Sequence, residues 1–179
     1  MSRTIRRRTG AAVALSALSM LACMGGTDTE PLLNDLQSIN PAVRQDAVEE
    51  AATMIQPEVT TALEAMLEDP DPKIRLAAVV SLDKHASITS VRPLMAHVID
   101  DDPDVSREVI DTLGRMGDPA AAPAIMASVS ANIYDPPLNA VWALGEVGSR
   151  DAITLLTRLR NHPDPWVEHS ATEALRKLE

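Results

Sequence analysis

VIDTLGRMGDPAAAPAI (residues 109–125) and, 31 positions further on, AVWALGEVGSRDAITLL (residues 140–156) follow one plan. Each is an apolar run that ends in Leu-Gly, with a second Gly three residues later, a polar Asp or Ser, and then a fresh apolar run. Gly halts a helix because it reaches the left-handed backbone region without a Cβ penalty, and Asp or Ser starts one by capping its free N–H groups. The two stretches therefore read as helix, tight turn, helix. The same period of 31 runs outward in both directions. It relates Pro41, Pro72, Pro103 and Pro165, with Tyr134 on the remaining rung, and it relates Val43, Ile74, Val105, Pro136 and Val167.

Two further columns, Ala47, Ala78, Val109, Ala140, Ala171 and Ala51, Leu82, Leu113, Leu144, Leu175, follow at four-residue steps. Four residues are about one helical turn, so these columns draw one apolar stripe along a first helix, A. Leu32, Leu63, Leu94, Ile125 and Leu156, with Leu36, Leu67, Val98 and Val129 one turn later, draw the stripe of a second helix, B. Asn40-Pro41, Asp71-Pro72 and Asp102-Pro103 mark the start of each A helix, an N-cap followed by a Pro where no N–H is needed. The chain is thus expected to run as a lone B helix near residues 31–39, four A–B pairs, and a final A helix near 166–178. One such hairpin cannot bury two stripes by itself, and stacking supplies the core. The expected fold is all-α, a right-handed α-solenoid of about five 31-residue helical hairpins over residues 31–179.

DPDPKIRLAAVVSL (residues 69–82) and the two stretches above resemble the short HEAT-like repeats named after bilin lyase subunits: Asp-Pro-x-apolar-Arg, an Ala pair, Leu-Gly-x-x-Gly-Asp, then an apolar helix. The resemblance covers nearly all of the chain beyond Pro31. It implies stacked helical hairpins and, as one functional option, a bilin-lyase-like enzyme subunit or chaperone. The motif's Arg is present at Arg44 and Arg75 and becomes Ser106, Pro137 and Glu168, so the C-terminal half lacks the Arg of any stacking ladder.

Composition agrees with this plan. Among 179 residues there are no Phe, one Tyr and two Trp, a poor vocabulary for sheets. Seven Gly include no phosphate-cradling spacing, and a net charge of −10 opposes a nucleic-acid partner. Arg3, Arg6, Arg7 and Arg8 precede an uncharged stretch from Gly10 to Ala22, the pattern of an export signal over residues 1–22. The stretch stops at Cys23, the only cysteine, and resembles the lipobox of bacterial lipoproteins, with Ala22 and Cys23 at the motif's last two positions. Cys23 is accordingly expected to carry lipid, with 23–30 as a flexible tether and the cell envelope as destination, the outer membrane or periplasm in a Gram-negative host. Removing the signal leaves 12 Lys+Arg against 26 Asp+Glu, a mature charge of −14.

No catalytic, cofactor or metal constellation is expected. His85, His97, His162 and His169 include no His-Glu dyad, and His85 and His97 stand in packing or surface columns. The acidic runs at 69–71 and 100–104 recur where A helices begin, where carboxylates cap N–H groups. Two surfaces are candidates for binding a protein or peptide. One is a B-helix groove with Arg92, Met95, Ile99 and Met126. The other is the aromatic end, Tyr134, Trp142 and Trp166, whose columns are otherwise mostly polar. The function expected from the sequence is a non-enzymatic, lipid-anchored interaction scaffold; the alternatives are the bilin-lyase-like subunit or an acidic divalent-metal binder.

Overall fold

The computed structural model describes residues 29–179, and the helical array is the unit Pro31–Glu179. Among the described residues there are ten α-helices and no strand. The A helices are α2 (Pro41–Ala51), α4 (Pro72–His85), α6 (Pro103–Met116), α8 (Leu138–Glu146) and α10 (Pro165–Leu178). The B helices are α1 (Glu30–Asp35), α3 (Pro57–Ala65), α5 (Val91–Met95), α7 (Ala122–Ala131) and α9 (Ile153–Leu159). Each A helix packs on the next A helix, and the B helices fill the second layer against them. The fold is an α-solenoid of HEAT-like hairpins.

Capping chemistry sets the A-helix starts. Asn40 accepts the Ala42 N–H at 3.0 Å, Asp71 that of Lys73 at 2.9 Å, Asp102 that of Asp104 at 2.9 Å and Asp164 that of Trp166 at 2.8 Å. Helix α8 starts four residues later than the period requires, at Leu138. Pro137 is the cause: its ring forces Pro136 out of the helical region, and no side chain caps the start. The B helix α5 ends at Met95, short of Val98 in its stripe, and 3-10 turns at Ile88–Ser90, Pro119–Ala121 and Arg150–Ala152 lead into α5, α7 and α9.

The turns after α6 and α8 close on Gly117 (φ 65°) and Gly148 (φ 69°). The residue at the same place after α4 is Ala86, held at φ 48°. A Cβ there costs roughly 1 kcal/mol, so Ala86→Gly is expected to stabilise the array by about 0.5–1 kcal/mol in urea unfolding. A loss of stability instead would mean that the Ala86 methyl contributes packing worth more than the strain.

The core is the stacked columns. Ala78, Val109, Ala140 and Ala171 are fully buried, as are Leu82, Leu113 and Leu144 one turn on, and Leu63, Leu94, Ile125 and Leu156 from the B layer. A further buried column, Val48, Val79, Ile110 and Val141, lies one residue after the Ala column and widens the A stripe where successive A helices meet. Stripe reading by four-residue steps alone passes over it. No helix among the described residues is long and apolar enough to cross a membrane.

Polar cement differs between the two halves. The Arg44 guanidinium grips Asp69 through two bonds, at 2.6 and 3.0 Å, and donates to the Ser38 carbonyl at 2.7 Å. One repeat on, Arg75 grips Asp100 at 2.6 and 3.0 Å and donates to the Asp69 carbonyl at 2.9 Å. The third rung has lost both partners, Ser106 standing in the Arg column and Ala131 in the Asp column. The Ser106 hydroxyl turns instead to the Val98 carbonyl at 2.6 Å. In the C-terminal half close helix approach takes over: a Cβ on Gly145 would lie 2.8 Å from the Ala174 Cα.

Candidate functional site

The four B-layer candidates do not converge. Met95 and Met126 are half-buried and pack against the core, and Arg92 is exposed. Ile99 is 69% exposed and lines a separate polar cavity with Glu68, Arg75, His97 and Asp100. The reason is the length of α5. It ends at Met95, so Ile99 falls in the connection to α6 rather than one turn further along the same helix face.

The histidines take backbone and acid partners. His85 is buried, its Nε2 donating to the Ala51 carbonyl at 3.0 Å while Nδ1 meets the Thr60 hydroxyl at 2.9 Å. His162 stands in the Asp column and caps as the Asp does. Its Nδ1 accepts the Asp164 N–H at 3.1 Å, just as Asp69 and Asp100 accept those of Asp71 and Asp102. Its Nε2 then donates to the Tyr134 carbonyl at 3.2 Å. His97 lies between Glu68 and Asp100, at 3.3 and 3.6 Å. Among the described residues, no three His, Cys, Asp or Glu side chains are grouped to hold a metal ion. Cys23 lies outside the described residues.

Two of the three aromatics meet. Trp142 on α8 and Trp166 on α10 line one cavity of about 560 Å³, with Leu138 and His169 completing its largely apolar surface. Trp166 is 72% exposed and Trp142 37%. The Trp142 ring lies over Gly114 of α6, where a Cβ would come within 2.6 Å of its Cζ3, so the glycine makes room for the indole. Tyr134 is 84% exposed in the connection before α8 and does not line this cavity. Trp142 and Trp166 are 24 residues apart in the chain, and only the pairing of α8 with α10 unites them.

Charge surrounds the cavity. Asp111 is held by the Asn139 side-chain amide at 3.0 Å, which also donates to the Arg107 carbonyl at 3.1 Å. Arg115 is committed elsewhere, donating to Asp83 at 3.0 Å, to Glu108 at 2.8 Å and to Thr112 at 3.1 Å. Partial burial works against its charge, yet the two carboxylates outweigh this and hold its pKa above the ordinary guanidinium value. Glu173 is held below the ordinary carboxylate value by its bond from Arg176, at 3.0 Å.

The same inter-helix groove exists three repeats earlier, between α2 and α4, as a cavity of about 570 Å³. There Gln45, Glu49 and Lys73 occupy the places of Leu138, Trp142 and Trp166. The groove therefore packs and stacks with polar residues at these positions. The apolar and aromatic lining at the C-terminal end is not a requirement of the repeat.

A family model described as HEAT repeats matches residues 6–83, 29–104 and 63–135, and one described as PBS lyase HEAT-like repeat matches 137–162. The first match reaches back into the stretch read as an export signal. No curated protein matches the chain. Among solved structures the chain is similar to one of the complex of CpcE and CpcF of phycocyanin lyase from Nostoc sp. PCC7120, with a TM-score of 0.69 at 23% identity. That match covers 86% of this chain and 66% of the other, so the present chain spans just under two thirds of the length of its relative. An engineered protein solved by a structural genomics consortium is similar at a TM-score of 0.60 and 18% identity, covering 84% of this chain and 78% of that one. These findings correct one expectation. A repeat model described as PBS lyase HEAT-like repeat matches residues 137–162, and a chain of a phycocyanin lyase complex shares the fold, so the non-enzyme reading is withdrawn. The helices, the 31-residue stacking and the repeat matches lead to one conclusion: the chain belongs to the HEAT-repeat family.

Proposed function

We propose that this chain is a subunit of a lyase-related assembly, that it engages a partner protein through the cavity at Trp142 and Trp166, and that lipid on Cys23 holds it at a bacterial cell envelope. The observation that carries the binding site is the comparison of the two grooves. Where α2 and α4 present Gln45, Glu49 and Lys73, α8 and α10 present Leu138, Trp142 and Trp166, and exposed Trp is costly to display without a partner. The likeness to a two-chain complex of a phycocyanin lyase supports a role as one subunit among several. The sole cysteine at the end of an arginine-led apolar stretch supports the anchor.

The test uses the full chain in its host with a photocrosslinking residue at position 166 or, as the matched control, at position 73. A specific partner is expected to crosslink at 166 and not at 73, and Trp142→Ala with Trp166→Ala is expected to lose it with helical content unchanged. A lyase activity of the captured partner should depend on this chain. Equal crosslinking at both positions, or a partner kept by the double variant, would sink the site. For the anchor, Cys23→Ser should abolish acyl labelling and move the chain from the membrane to the soluble envelope fraction; labelling that persists would show the address to be misread.

A further inference from the structure

We infer that the Trp142–Trp166 cavity takes a cationic side chain, arginine or lysine, from a basic segment of the partner. The inference rests on the reading of this cavity as the partner site and adds the chemistry of what enters it. Indole faces attract a cation through their quadrupole, more strongly than other rings do. The charges around the cavity have the same preference. Asp111, Glu173 and Arg115 line it, and Asp83 and Glu108 stand behind Arg115, four carboxylates against the two guanidiniums of Arg115 and Arg176. Arg115 is tied to Asp83, Glu108 and Thr112, so it does not offer a free cation to an acidic ligand. Asp111, whose carboxylate accepts from the neutral amide of Asn139, is the acid best placed to receive the incoming charge.

The earlier groove supplies the contrast. Between α2 and α4 the lining carries Lys73 and Lys84 against the single carboxylate of Glu49, a net positive charge that would repel a cation. At the C-terminal end Trp166 replaces Lys73, and Lys177, the counterpart of Lys84, is paired with Glu146 and does not line the cavity. The later lining, with Asp111 and Glu173 against Arg115, is net negative where the earlier one is net positive, and it gains two indoles. A second copy of this chain is a poor occupant, because the mature chain carries a charge of −14, its 12 Lys+Arg facing 26 Asp+Glu, and two acidic faces repel.

The two Trp residues are the only ones in the chain, so indole emission reports on this cavity alone. The probe is the capped hexapeptide Gly-Leu-Arg-Leu-Arg-Gly, titrated into the full chain beside twins with citrulline or glutamate for arginine. A saturable emission change is expected with the arginine peptide, about tenfold weaker for the citrulline twin and weakened further between about 50 and about 500 mM salt. Asp111→Asn should weaken the arginine peptide about fivefold with the emission of the free protein unchanged. Equal affinity for the citrulline twin, or preference for the glutamate twin, would overturn the cationic inference. If no peptide saturates while the crosslinked partner still depends on the two tryptophans, the cationic inference fails and the partner site stands. An emission shift that grows with protein concentration alone, with dimers in light scattering, would assign the cavity to a second copy and remove both.

Discussion

Gly145→Val is expected to destabilise the array by about 3 kcal/mol, lowering the melting temperature by roughly 10 °C. Helices α8 and α10 meet so closely at this point that a Cβ on Gly145 would lie 2.8 Å from the Ala174 Cα and 3.0 Å from its Cβ. The first of these is backbone and cannot rotate aside, so α10 has to move away from α8. Even Gly145→Ala is expected to lose stability, although alanine gains close to 1 kcal/mol over glycine in an unobstructed helix. In a solenoid each repeat leans mainly on its neighbours, so the loss falls first on the terminal repeat. The two indoles sit on α8 and α10. Their emission should therefore change at lower urea than the far-ultraviolet circular dichroism in Gly145→Val, whereas the two signals coincide in the parent chain. Coincident transitions and an unchanged midpoint would show that the helices separate at no cost.

Arg75→Ala is the second large effect, at about 3 kcal/mol. The Asp100 side chain is only 5% exposed, and the substitution leaves its carboxylate in that position without the guanidinium that holds it through two bonds. The double variant Arg75→Ala with Asp100→Ala should recover part of the loss, since no orphaned charge remains. Acid supplies the sign. Burial opposes ionisation of Asp100, but the bonds from Arg75 and from the Asp102 N–H, with His97 close by, outweigh it and place its pKa below the ordinary 3.8; Asp69 behaves in the same way with Arg44. A carboxyl depressed by folding contributes stability that is complete above its unfolded value and is lost as the pH falls toward its folded one. The parent chain should therefore lose the ladder's contribution below about pH 4, and the gap between it and Arg75→Ala should narrow there. A gap that widens in acid would show that the ladder is not what Arg75 supports.

Gly145 and Arg75 lie in different halves of one array, and the two halves are held together differently. Arg44 and Arg75 clamp the early repeats through charge, and the next rung, with Ser106 and Ala131, has nothing to clamp. Gly114 and Gly145 let the later A helices approach closely enough to hold without it. The close approach has a second result: Trp142 spreads over Gly114 and leaves one edge of its ring in the cavity shared with Trp166.

By itself the sequence determined the period, the Ala, Leu and B-layer columns of the core and the capped starts of α2, α4 and α6. Each of these follows from spacing along one helix or from a side chain and an N–H two residues away, and such local relations are visible in a linear string. The late start of α8 was also local, written in Pro136-Pro137. The early end of α5 at Met95, and with it the exclusion of Ile99 from the face that carries Met95, was not marked by any Gly or Pro in residues 96–99. Tertiary structure alone decided that Trp142 and Trp166 share a cavity and Tyr134 does not, that His162 reaches the Tyr134 carbonyl, and that Leu138, Trp142 and Trp166 face one groove as Gln45, Glu49 and Lys73 do three repeats earlier. Those outcomes depend on which helices face one another and at what distance, and that is settled by packing between repeats, where no column of a single repeat records it.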